Sequence, residues 1–409
     1  MRSRRALATL LVALAAATAI TACGESDSAE PKGVPLFDPG EASFYRPPDD
    51  LVPEEPGRLV WVEPLSARPG MEAWRILYTS ESPEGEIVTV SGLVASPEDE
   101  ARERPIVVQA IGTVGLGDGC TFSTTSSIDN GTDLQLNVLS LLTVSQGWIG
   151  VSTDLPGLDT PGTHTYLVGE SNGRAMLDAA RAVRELKEAR AGKRVAVLGG
   201  SEGGHASLFA GQLAPDYAPG LELEGAVAWA PASHLERYKS RGNAAPIPGF
   251  FVMVALGIGQ AHGLDPGKGL NDHDRRLLDR VADACTGTQK DFPTIGELVS
   301  RFDDQAFVER GPFDRQPWKR LLEQQEPGLE PTAAPILIVQ GDEDPVVPPS
   351  ATRALFSALC ARGDQAELEV IPGAGHVGGD PDFNQPAGES SIAWLEDRFE
   401  REPAPSNCS

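Results

Sequence analysis

Arg194-Val195-Ala196-Val197-Leu198-Gly199-Gly200-Ser201-Glu202-Gly203-Gly204-His205 decides the fold. An apolar run of strand length meets a serine set among glycines, and the helical stretch Glu202 to Leu213 follows. The pentapeptide Gly199 to Gly203 fits G-x-S-x-G, which carries little weight alone in a chain with 44 glycines. Its setting carries more, because a strand, a tight turn and a helix in that order expose the serine at the top of a sheet. Such a turn strains the serine backbone and leaves no room for a Cβ on its neighbours, which gives the glycines a steric reason.

A serine hydroxyl is a poor nucleophile at neutral pH, so a base must take its proton and a carboxylate must hold that base. Both are expected downstream. The run Ile336 to Gln340 ends in Gly341-Asp342-Glu343-Asp344-Pro345-Val346-Val347, and Leu368 to Ile371 ends in Pro372-Gly373-Ala374-Gly375-His376. The order Ser201, Asp344, His376 is that of an α/β-hydrolase. Asp344 fits the G-x-x-D-x-x-V spacing, with Asp342 as the alternative acid. For the oxyanion, the backbone N–H of Glu202 is one expected donor. The other is expected from Ile111-Gly112-Thr113-Val114-Gly115, with Thr113 first and Gly112 as the alternative.

Outward from these segments, Leu59 to Val62, Trp74 to Thr79 and Ile87 to Ala95 read as early strands. Pro105 to Ala110, Trp148 to Ser152 and Gly225 to Ala230 read as buried ones. Helical patterns fall between them at Leu134 to Gln146, around Met176 to Leu186 and at Ala351 to Ala361. The alternation implies an α/β fold with a mainly parallel central sheet and helices on both faces. Gly115-Leu116-Gly117-Asp118-Gly119-Cys120 lacks the last glycine of a dinucleotide fingerprint, which argues against that rival architecture.

The formal net charge is −25, from 59 acidic and 34 basic residues, which repels a phosphate backbone, so nucleic acid is not expected as a partner. Arg2, Arg4 and Arg5 precede an apolar run from Ala6 to Ile20, and Ile20-Thr21-Ala22-Cys23 looks like a bacterial lipobox. The expectation is an exported envelope lipoprotein attached to a membrane through acylated Cys23. The remaining Cys120, Cys285, Cys360 and Cys408 suggest two disulfides, whose three possible connectivities spacing does not separate. No Cys-x-x-Cys pair is present, and neither a metal nor an organic cofactor is expected.

Phe44-Tyr45-Arg46-Pro47-Pro48, Gly112-Thr113-Val114-Gly115, Asp154-Leu155-Pro156-Gly157-Leu158, Thr165 to Gly169 and the three segments around Ser201, Asp344 and His376 together resemble the secretory lipase family, α/β-hydrolases of the lipase A type. Family members usually carry His before the Gly-Thr of the oxyanion loop, and this chain has Ile111. The resemblance implies a Cys120–Cys285 disulfide, which leaves Cys360–Cys408. It also implies a mostly helical cap over 233–331, in which Ile247 to Gly259 is apolar enough to line an acyl pocket. The resulting organisation is a leader at 1–22, an acylated Cys and flexible tether at 23–57, a core at 58–232 and 332–402, and a tail at 403–409. The implied activity is hydrolysis of lipid or acylglycerol esters through an acyl-serine. The alternatives are a binding lipoprotein on an inactive hydrolase scaffold, or a small-ester, polymer-ester or peptide hydrolase.

Overall fold

The apolar runs assemble into one sheet, and their burial explains their composition. The computed structural model describes residues 34–38, 40, 43–124, 127–128, 145–238, 247–287, 294–378 and 380–408. Its strands are β1 (Leu59–Ala67), β2 (Met71–Glu81), β3 (Ile87–Pro97), β4 (Arg104–Ala110), β5 (Ser127–Ile128), β6 (Ile149–Thr153), β7 (Ala191–Gly200), β8 (Glu222–Trp229), β9 (Ile336–Gly341) and β10 (Ala366–Ile371). They lie in the order β10-β9-β8-β7-β4-β6-β3-β2-β1-β5. β6, β4, β7, β8, β9 and β10 run parallel, while β1, β2, β3 and β6 pair antiparallel. All of β6 and all of β9 are buried, as central strands covered on both faces must be.

Helices α1 (Gly169–Val183) and α2 (Glu202–Tyr217) cover one face, packing Ala175, Ala179 and Ala210 against Ile106, Val108 and Val197. Small residues allow the two helices to approach closely. A Cβ on Gly173 of α1 would stand 2.8 Å from the Ala210 nitrogen of α2. The opposite face receives α9 (Pro381–Phe399) through Phe383, Trp394, Leu395 and Phe399. α9 has no counterpart among the sequence-based helices, because Pro386 and Gly388 interrupt its apolar spacing. The edge strand β10 packs with α8 (Pro349–Arg362) and is lined by the tail: Asn407 exchanges hydrogen bonds with the Leu368 backbone, and Cys408 is bonded to Cys360. Covering an edge in this way removes a site for unwanted strand pairing.

Two expectations need correction. The tether was placed up to Gly57, yet the compact unit begins at Val34. Phe37 and Phe44 pack on Trp61 of β1, and Trp61 Nε1 donates to the Phe44 carbonyl at 3.1 Å. Aromatic residues spaced among Pro and Asp were hidden by the polar composition around them. The second correction concerns the insertion between β8 and β9, which holds α3 (Phe250–His262), α4 (Asp272–Ala282), α5 (Ile295–Val299), α6 (Gln305–Arg310) and α7 (Trp318–Glu323). Residues 247–259 are chiefly the insertion's own core: Phe251, Val252, Met253 and Val254 are buried against neighbours such as Phe313 and Trp318. A helix apolar on every side must be buried, but that pattern does not say against what.

The expected leader, Cys23, the first part of the tether and nearly all of the helix expected at Leu134 to Gln146 lie outside the described residues. Among the described residues no helix is long and apolar enough to cross a membrane.

Candidate active site

Ser201 stands where β7 turns into α2, with φ 55° and ψ −111°. That backbone is strained for a residue with a Cβ and is held by the sheet and helix on either side. The Ser201 N–H donates to the Trp229 carbonyl at 2.8 Å, and its carbonyl accepts from His205 and Ala232. The turn closes because its neighbours are glycines. A Cβ on Gly199 would stand 2.3 Å from Gly203 backbone atoms, and one on Gly203 would stand 2.3 Å from the Ala110 carbonyl oxygen.

Asp344 and His376 come from the loops after β9 and β10. Asp344 is buried, and its Oδ1 accepts from the N–H groups of Val346 at 2.7 Å and Val347 at 2.9 Å. Its Oδ2 accepts from Gln340 Nε2 at 3.1 Å and lies 2.7 Å from His376 Nδ1. A carboxylate with this many donors stays in place and acts as the acceptor, so Nδ1 carries the proton and Nε2 is left with a lone pair. Asp342, the alternative acid, is exposed and accepts from the Gly373 N–H at 2.6 Å, which shapes the turn. The loop with His376 is pinned to the start of α9, where Asp380 accepts from the Gly375 N–H at 2.5 Å and Asn384 from the Gly378 N–H at 3.0 Å.

Ser201 and His376 line one cavity of about 380 Å³. Gly112 and Thr113 line it too, on the loop after β4. Ile111, which replaces the family's histidine, is fully buried in the sheet core. Glu202 is buried as the first residue of α2, and its side chain meets His164. The remaining wall is mainly apolar, with Phe122, Trp229, Val346 and Val377. Ile247 is the member of the 247–259 segment that reaches it. Two polar side chains interrupt this wall, Thr286 and Gln109, and the latter is 5% exposed with an Oε1 that has no hydrogen-bond partner among the described residues. Gln109 and Trp229 carry no motif, and their place here follows only from strand register, while Val377 enters the wall beside His376 on the loop after β10.

Cys120 is joined to Cys285 and Cys360 to Cys408, with Cα–Cα separations of 5.5 and 5.3 Å. Among the described residues, His273, Asp274 and Asp303 come close enough to suggest metal ligands. Both Asp274 oxygens, however, already accept backbone N–H groups, from Asp303 and Asp304.

A mainly parallel sheet with a strained serine after β7, followed by an aspartate and a histidine after later strands, defines the α/β-hydrolase class. Within it, this chain belongs to the secretory lipase family, whose model matches residues 123–407. It is a carboxylic ester hydrolase by that membership. It is 25% identical over 397 residues to the secreted triacylglycerol lipase LIP4 of Malassezia globosa, covering 91% of this chain and 84% of the relative. The solved structure of Candida antarctica lipase A superposes with a TM-score of 0.72 at 20% identity, over 91% of this chain and 89% of that one. A Mycobacterium tuberculosis relative, the probable inactive lipase MT1628, is 26% identical over 250 residues, which is 56% of this chain and 51% of that protein.

Proposed function

We propose that the protein hydrolyses lipid or acylglycerol esters through a covalent acyl-serine, with Ser201 as nucleophile, His376 as base and Asp344 as the acid that orients it. The observation that carries this reading is the His376–Asp344 contact of 2.7 Å at the rim of the cavity that also holds the strained Ser201. His376 Nε2 takes the Ser201 proton as Oγ attacks the ester carbon. The carbonyl oxygen gains the electron pair and is met by the N–H groups of Glu202 and Thr113, with Gly112 as the alternative second donor. Collapse breaks the ester C–O bond, and the proton on Nε2 goes to the departing alcohol. Water then attacks the acyl-serine with the same base and releases the acid. The steps need no metal or organic cofactor.

Residues 233–331 form the cap in this reading. Residues 34–232 and 332–402 form the core, 403–409 the tail, and Cys23 the lipid anchor of an exported protein. The mainly apolar cavity wall supports an ester with hydrocarbon parts over a peptide.

Hydrolysis of p-nitrophenyl esters of graded acyl length tests the substrate class, alongside labelling by a fluorophosphonate. Turnover that persists from butyrate to long acyl chains is expected. Activity on acetate alone would move the protein to the small-ester hydrolases, and failure to label would favour a binding lipoprotein on an inactive scaffold.

A further inference from the structure

Two buried ionisable side chains that the acyl-serine steps do not use stand beside the nucleophile. Glu202 follows Ser201 directly, and its Oε1 lies 2.7 Å from His164 Nε2, with 1% and 0% of the two side chains exposed. The other ring nitrogen, His164 Nδ1, lies 2.9 Å from the Pro156 carbonyl oxygen. A carbonyl only accepts, so Nδ1 carries a proton. The contact between Nε2 and Oε1 then requires a second proton, on the nitrogen or on the oxygen. Either arrangement, imidazolium with carboxylate or imidazole with carboxylic acid, leaves the pair with no net charge.

The loop that supplies His164 also supplies Tyr166, whose hydroxyl lies 3.0 Å from Thr113 Oγ1 and whose ring meets the His164 ring edge-on at 6.1 Å. One loop therefore holds both residues assigned to the oxyanion hole. It is itself fixed from two sides, by the His164 N–H donating to the Leu116 carbonyl and by Gly257, where a Cβ would stand 2.5 Å from the Tyr166 nitrogen.

We propose that His164 is a positioning residue of the oxyanion hole: it seats the Glu202 side chain through a shared proton and so keeps negative charge away from the oxyanion that forms at the Glu202 N–H. This rests on the acyl-serine reading above. Without His164 an unpaired carboxylate would remain buried on the residue that donates to the oxyanion, where low dielectric makes repulsion between like charges strong. The penalty should fall on the transition state more than on the neutral bound ester, and hence on kcat more than on KM.

The test compares wild type, His164→Ala and His164→Ala/Glu202→Gln on p-nitrophenyl butyrate, with active sites counted by fluorophosphonate. His164→Ala is expected to lose about 10- to 100-fold in kcat with KM nearly unchanged, less than the roughly 10²- to 10³-fold that losing an oxyanion donor outright costs. Adding Glu202→Gln removes the charge while the space left by the ring stays empty, and is expected to recover about tenfold. If His164→Ala does not fold, His164→Gln keeps a donor toward Glu202 without the neutralising proton, and should show the same loss and the same recovery. A double variant no better than the single one, a loss confined to KM, or a single variant as active as wild type would overturn the proposal. Failure of the acyl-serine reading would look different, because wild type itself would neither label nor turn over.

Discussion

Gly115 and Cys285 face each other in an isolated antiparallel bridge, so close that a Cβ on Gly115 would stand 2.4 Å from the Cys285 Cα. The contact joins the loop after β4 to the insertion. It is flanked by hydrogen bonds from Leu116 N–H to the Ala284 carbonyl at 3.0 Å and from Thr286 N–H to the Val114 carbonyl at 2.9 Å. The Cys120–Cys285 disulfide, which spans 165 residues, locks the same place. Replacing both cysteines by serine should therefore lower the unfolding free energy by about 2–5 kcal/mol. It should also reduce kcat, because Thr113 lies two residues from the bridge. Denaturant unfolding and ester hydrolysis read the two effects, and unchanged stability would contradict the bracing role.

The loop after β9 offers two aspartates with different surroundings. Asp344 meets His376 and accepts three further hydrogen bonds, whereas Asp342 meets the Gly373 backbone at the surface. Asp344→Asn should lower kcat by about 10⁴-fold, since an amide cannot hold the same imidazole tautomer. Asp342→Asn keeps a carbonyl acceptor for Gly373, and its kcat should stay within about threefold of wild type by the small cost usual for exposed changes. Losses of equal size would remove the distinction between them.

Much of the sheet was legible because central strands are continuous apolar runs between turns, and β4, β7 and β9 begin and end within a few residues of those runs. The turn at Ser201 was legible for another reason: its glycines are demanded by backbone contacts of 2.3 Å, so the geometry is written in residue type. The pairing of His164 with Glu202 was not legible, because 38 residues separate them and only the packing of the loop against α2 brings them together. The aromatic cluster of Phe37, Phe44 and Trp61 was missed because local composition describes a segment's neighbours in sequence, and these rings find theirs across a strand.

Gln109 places an amide in an apolar wall with its Oε1 unpartnered. That oxygen is already shut off from solvent, so its desolvation is a cost of about 1–3 kcal/mol carried by the folded state itself. Gln109→Leu, a change to an apolar side chain of similar size, should therefore raise the unfolding free energy by about 1–3 kcal/mol. Urea unfolding of both proteins measures the difference. A less stable variant would mean that the amide has a partner in the folded protein.

Asp154 links the motif after β6 to the stability of the fold. Its carboxyl is fully buried, with Oδ2 accepting from Ser91 Oγ at 2.8 Å, and burial pushes its pKa up to about 6, with the charge of Asp159 adding to the rise and bonds from Ser123 and Ser91 opposing it. An unfolded aspartate titrates near 3.9, so the folded state holds its proton more tightly. The stability gained is therefore fully present below about pH 4 and is lost as pH rises through about 6. A shift of about two pH units corresponds to about 3 kcal/mol. Asp154→Asn cannot ionise, so urea unfolding at pH 4.5, 6 and 7.5 should show wild type losing ground to the variant as pH rises, by about 2 kcal/mol over this range, the rest of the shift lying below pH 4.5. Asp178, also pushed up to about 6 by burial, is present in both proteins and cancels in the comparison. Parallel stability curves for the two proteins would show that the Asp154 carboxyl is ionised throughout this range.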